Sequence, residues 1–65
     1  MREAILDALQ AKYEAQLQEA LVNVEVYLTN PAGIGEHSEI IEAIDGQVSK
    51  MAEAAEKKQI IRNFY

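Results

Sequence analysis

The only proline of the chain and two of its three glycines sit together near the midpoint, in the run Thr29-Asn30-Pro31-Ala32-Gly33-Ile34-Gly35-Glu36-His37. Both flanks are rich in Ala, Glu, Gln, Leu and Lys, the strong helix formers. Breakers gathered in one place leave two helix-forming halves of similar length and a single turn between them. Proline drives the residue before it out of helical geometry, so the first helix should stop near Leu28 or Thr29. The second should begin near His37 or Ser38, either of which suits a cap. Glu39 and Glu42 then fall in its first turn and Lys57, Lys58 and Arg62 near its far end, an order of charge that complements the helix dipole. Gly46 lies inside this second helix and costs it up to about 1 kcal/mol relative to alanine.

The expected fold is therefore all-α, an antiparallel helical hairpin in one domain over residues 1–65. Its first helix covers about 2–29, its loop about 30–37 and its second helix about 38–63. One segment speaks against this: Leu21-Val22-Asn23-Val24-Glu25-Val26-Tyr27 alternates apolar and polar residues as a strand does. A single short strand has no partner elsewhere in the chain, and continuation of the helical period is the simpler reading.

Apolar spacing sets the expected packing. At about 100° per residue, Leu6, Leu9, Tyr13, Leu17, Leu21, Val24 and Leu28 form one stripe down the first helix. Its mean step, close to 3.67 residues, is that of an eleven-residue repeat and predicts a straight or slightly right-handed pairing. The second helix offers Ile41, Ile44, Val48, Met51 and Ala55, and the two stripes are the expected hairpin core. Ala4, Ala8, Ala11, Ala15, Val22 and Val26 line the opposite side of the first helix. Alanine is there partly as the best helix former, but Val22 and Val26 are mediocre ones and would be left in water. That seam is expected to meet another subunit. Ile60, Ile61 and Phe64 point roughly 100–200° away from Ile41 and are expected to fold over the bundle end, join the oligomer interface or dock a foreign protein.

Size and charge narrow the function. A chain of 65 residues buries only about 60% of its extended surface. With no cysteine, it has neither disulfides nor zinc thiolates as staples. Self-association, with dimerisation of hairpins into a four-helix bundle favoured, is the remaining remedy, so the first expected partner is a second copy. Eleven acidic against six basic residues give a net charge of −5, which disfavours nucleic acid and anionic membranes. No stretch approaches the about 20 apolar residues of a membrane span, and Met1-Arg2-Glu3-Ala4 opens without the pattern of a secretory leader.

No constellation of residues points to chemistry. Gly33-Ile34-Gly35-Glu36-His37-Ser38 falls short of the dinucleotide fingerprint, which needs a third glycine and a preceding strand. The loop residues Pro31, Gly33, Ile34 and Gly35 are read instead as a turn in which Ile34 plugs the open end of the hairpin. His37 is the only histidine and is read as a cap or loop contact. Glu36, Glu39, Glu42 and Asp45 recur every three residues and so wind around the helix as a solvated acidic turn. The expectation is no enzyme, no catalytic residue, no metal and no cofactor.

The run Leu28-Thr29-Asn30-Pro31-Ala32-Gly33-Ile34-Gly35-Glu36-His37-Ser38, followed by Glu39-Ile40-Ile41-Glu42-Ala43-Ile44-Asp45, resembles small helix-loop-helix proteins of T4-like marine cyanophages. In these a pattern close to N-P-x-G-I-G-E-H joins two amphipathic helices. The resemblance covers most of the chain and implies a viral protein without an assigned activity, made in the cytoplasm of a cyanobacterial host. The architecture is also similar to that of the phage phycobilisome-degradation adaptor, although the early Leu-x-x-Glu-Gln-x-Phe segment of that family is missing. The expected function is a non-enzymatic, homo-oligomeric protein-interaction module acting during infection, with a host protein as a further candidate partner. The alternatives are an adaptor for host protein degradation or a minor virion or assembly component.

Overall fold

The computed structural model describes residues 1–30 and 37–65, with the backbone alone for residues 37 and 38. It is an antiparallel hairpin of two 28-residue helices, α1 (Arg2–Thr29) and α2 (His37–Phe64). Among the described residues there is no strand, and Leu21–Tyr27 lies wholly within α1. The alternation there reflects a helix with apolar residues on more than one side.

The end of α1 shows the effect of Pro31 on its neighbour. Asn30 leaves helical geometry at φ −140° and ψ 68°, while its N–H still donates to the Val26 carbonyl at 2.8 Å. Thr29 Oγ1 donates back to the Glu25 carbonyl at 2.9 Å, one turn earlier, so the hydroxyl is satisfied by the helix itself. The expected loop residues Pro31, Gly33, Ile34 and Gly35 lie outside the described residues.

The face that α1 turns to α2 carries Leu6, Gln10, Tyr13, Leu17, Ala20, Val24 and Tyr27, all half-buried or buried. The matching face of α2 carries Ile40, Ile44, Gln47, Met51, Ala54, Lys58 and Ile61. Both series advance in alternating steps of four and three, a 3.5-residue period, as in a left-handed coiled pair. The expected eleven-residue spacing is thus corrected to a heptad one.

The change of period moves the seam. Leu6, Leu9, Tyr13, Leu17, Val24, Ile44 and Met51 lie half-buried between the helices. Leu21, Leu28, Ile41, Val48 and Ala55 do not: all five are exposed, Leu28 to 60% and Ile41 to 71%. Each belongs to the expected hairpin core, and each stands one residue beyond a seam position: Ala20, Tyr27, Ile40, Gln47 and Ala54 face inward in their place. One residue is about 100° of rotation, enough to carry a side chain from the seam to its flank.

Ala20 and Ala54 are the only buried hydrophobic residues described, at 1% and 2% exposure, and no large side chain is fully buried. Small side chains at these positions let the two backbones approach, at the expense of apolar area. Polar groups occupy the seam as well. Asn23 Nδ2 donates to Gln47 Oε1 at 3.2 Å, and Gln10 Nε2 donates to the Lys58 carbonyl at 3.3 Å. These bonds fix the register at which α1 meets α2.

Candidate protein-interaction surfaces

Around the seam the hairpin has two unlike flanks. On one, Gln16, Glu19, Lys50, Glu53, Ala54 and Lys57 line a groove of about 250 Å³. Lys57 Nζ lies 2.9 Å from Glu53 Oε1, one helical turn away, and 5.6 Å from the centre of the Tyr13 ring. The Glu53 carboxylate holds the Lys57 ammonium above the ordinary lysine range. This flank is charged and internally paired.

The other flank is apolar towards the loop and charged towards the open end. Leu21 and Leu28 on α1, with Ile41 and Val48 on α2, stand exposed beside the seam. Further from the loop, Lys58 Nζ forms an ion pair with Glu14 Oε1, and Gln18 Nε2 donates to the other Glu14 oxygen at 2.9 Å. Hydrogen bonding from Lys58, then from Gln18, and the Lys58 charge hold the Glu14 carboxyl below its ordinary range.

The seam expected to meet another subunit occupies the back of α1. Ala4, Ala8, Ala11, Ala15, Val22 and Val26 are all exposed there, with Val22 at 56% and Val26 at 49%. The three residues near the second end are separated. Ile61 turns into the hairpin seam and is half-buried, while Ile60 and Phe64 are exposed. The geometry therefore assigns Ile61 to the intramolecular core and leaves Ile60 and Phe64 for an outside contact. Arg2 Nη2 donates to the Tyr65 main-chain oxygen at 3.1 Å and ties the two helix ends together. Ile5, Leu6 and Tyr65 line a hollow beside that bond.

Among the described residues, no three His, Asp or Glu side chains converge as a metal-ligand set. No described helix is long and apolar enough to cross a membrane. What the surface offers is apolar contact area on three sides of a thin hairpin.

The four-residue flank was not anticipated as a surface, although a signal for it is present. Leu21-Glu25-Leu28 and Ile41-Asp45-Val48 share one spacing, apolar at i and i+7 with an acid at i+4. Each triplet starts one residue past a seam position, so the two occupy equivalent places on α1 and α2.

The fold and surfaces define a two-helix antiparallel hairpin with incompletely covered apolar faces. Comparison with known families, curated proteins and solved structures finds no match to the chain.

Proposed function

We propose that the chain is a non-enzymatic protein-interaction module that associates with itself, and that it acts in the cytoplasm of a cyanobacterial host during phage infection. The viral setting rests on the similarity of the Asn30–His37 loop and its flanking helices to the cyanophage pattern. The interaction role rests on one observation: the core holds two buried alanines, whereas Val22, Val26, Leu28, Ile41, Val48 and Phe64 are each about half exposed or more.

Area supports the same reading. The chain exposes 4883 Å². A compact monomer of 7.3 kDa is expected to expose about 4,200 Å². The excess, on the order of 700 Å², is close to what one partner contributes to an interface of standard size.

The back of α1 suits a second copy, because alanines allow close approach and Val22 and Val26 add apolar area. Replacing Ala11 and Ala15 by glutamate leaves helix propensity nearly unchanged but places bulk and charge in that contact. The wild-type chain is expected to scatter as a dimer or larger. The double variant is expected to be smaller or unfolded. An oligomer untouched by the double variant moves the contact to Ile60 and Phe64. For the setting, tagged protein is expected to retain a defined partner from infected host lysate. Its presence in purified virions without any such partner would replace this reading with a structural one.

A further inference from the structure

We propose that the flank formed by Leu21, Leu28, Ile41 and Val48 seats a basic amphipathic helix of another protein. The inference rests on reading the chain as an interaction module and names the partner chemistry for one of its faces.

Three observations converge on this occupant. The first is shape. On each helix the two exposed apolar residues stand seven positions apart, two helical turns or about 10.5 Å. They border one side of the same seam, so they outline a shallow trough between α1 and α2. A docked helix would fill it with apolar residues at i, i+3 or i+4, and i+7.

The second is the border. Glu25 lies between Leu21 and Leu28 on the outer edge of α1, and Asp45 lies between Ile41 and Val48 on the outer edge of α2. Both are exposed, and neither belongs to an ion pair among the described residues. The trough therefore has an unpaired carboxylate on each bank.

The third is the surrounding charge. No lysine or arginine occurs between Lys12 and Lys50, a span that contains Glu14, Glu19, Glu25, Glu36, Glu39, Glu42 and Asp45. Among the described residues of this span only Glu14 has a cation, Lys58, which comes from the far half of α2. A second copy laid strip on strip would bring the same carboxylates together with no cation of its own at that level. A helix carrying lysine or arginine beside its apolar stripe supplies what the surface lacks, and opposite potentials favour both encounter and register. The flank thus separates the foreign partner from the second copy, which takes the back of α1.

The test uses the full chain and a fluorescent leucine–lysine helical peptide of about 18 residues with leucines at the i, i+3, i+4, i+7 spacing. Two control peptides are a scramble of the same composition and a leucine–glutamate counterpart. Anisotropy is expected to show binding of the amphipathic lysine peptide, at least about ten-fold weaker binding of the scramble and none of the glutamate peptide. Leu28→Ser with Ile41→Ser is expected to weaken binding by about ten-fold or more. Gln16→Ser, on the opposite charged flank, is expected to leave it unchanged. Glu25→Gln with Asp45→Asn is expected to weaken binding several-fold and flatten its salt dependence. All four apolar positions and both acids are exposed, and circular dichroism checks that each variant keeps its helices. Equal affinity for the scramble, or indifference to the Leu28/Ile41 variant, overturns the proposal. A fall in the sedimentation mass of the free protein on Leu28→Ser/Ile41→Ser also overturns it, since the strip would then belong to a second copy. That last result leaves the interaction-module reading standing, whereas a chain that is always monomeric and binds no peptide sinks both.

Discussion

Ala20 and Ala54 decide how near the helices come, because they are the positions at which each backbone is covered by the other helix. A larger side chain at either has nowhere to go without spreading the pair. Ala54→Leu is expected to cost about 1–3 kcal/mol in urea denaturation, the usual penalty of overpacking. A gain would mean that the helices stand further apart than their burial implies. Gln10 makes the opposite case. Its Nε2 is bonded to the Lys58 carbonyl, but Oε1 is buried without a partner among the described residues. Gln10→Leu keeps the volume and removes the orphaned acceptor, so it is expected to stabilise the hairpin by about 1 kcal/mol. A loss of stability on the same assay would show that the Lys58 contact outweighs the unpaired oxygen. Neither residue stands out in the sequence. Ala20 is one of many alanines in α1, and nothing in an isolated glutamine announces that it will lie in a seam.

At the scale of the helix, existence and direction are legible and rotation is less so. Gathered breakers and strong helix formers on both sides are local signals, and α1 and α2 run close to the expected spans. Which side faces inward depends on how two helices coil around each other, a property of the pair. Spacings of three and four residues alone also admit a stripe through Leu21, Leu28, Ile41 and Val48. The 3.5-residue period places Ala20, Tyr27, Ile40 and Gln47 inside, and two of these, Ala20 and Gln47, are not large apolar residues. For the same reason the apolar flank was hidden in the expected core, while the back face of α1 was readable directly.

Two expectations belong to the elements. Gly46 is exposed within α2, and a methyl group there would meet nothing within 4 Å. Gly46→Ala is therefore expected to raise stability by up to about 1 kcal/mol through helix propensity, read as a higher melting temperature. An unchanged or lowered melting temperature would show that the position needs glycine for an outside contact.

Among the described residues, the ion pair between Glu14 and Lys58 is the salt bridge that joins α1 to α2. Because the Glu14 carboxyl is held below its ordinary range in the folded chain, its contribution is fully present above the unfolded value and lost as pH falls through the folded one. The stability gap between wild type and Glu14→Gln should be seen at neutral pH and vanish in strong acid, and it should shrink in salt because the pair is partly exposed. The same gap at both pH values would mean that the carboxylate charge does not hold the helices together.

As a whole, the molecule is a rod of 47 × 15 × 12 Å with a radius of gyration of 14.7 Å. A compact domain of this length is expected near 11 Å. A hairpin of two helices can cover only one side of each, and this one does so with two alanines and a row of half-buried side chains. Its charge is uneven, with every lysine and arginine in residues 2–12 or 50–62. Thinness, excess surface and uneven charge describe a part that is completed by contact. That the alanines and valines on the back of α1 lie outside is a consequence of helix geometry and was readable from the sequence; which molecule covers each face is a property of partners, which a single chain does not encode locally. The central claim is that this hairpin does not persist alone. Sedimentation equilibrium across micromolar concentrations tests it most directly: a dimer or larger assembly that dissociates only with loss of helical signal is the expected result, and a folded 7.3 kDa monomer at every concentration would contradict it.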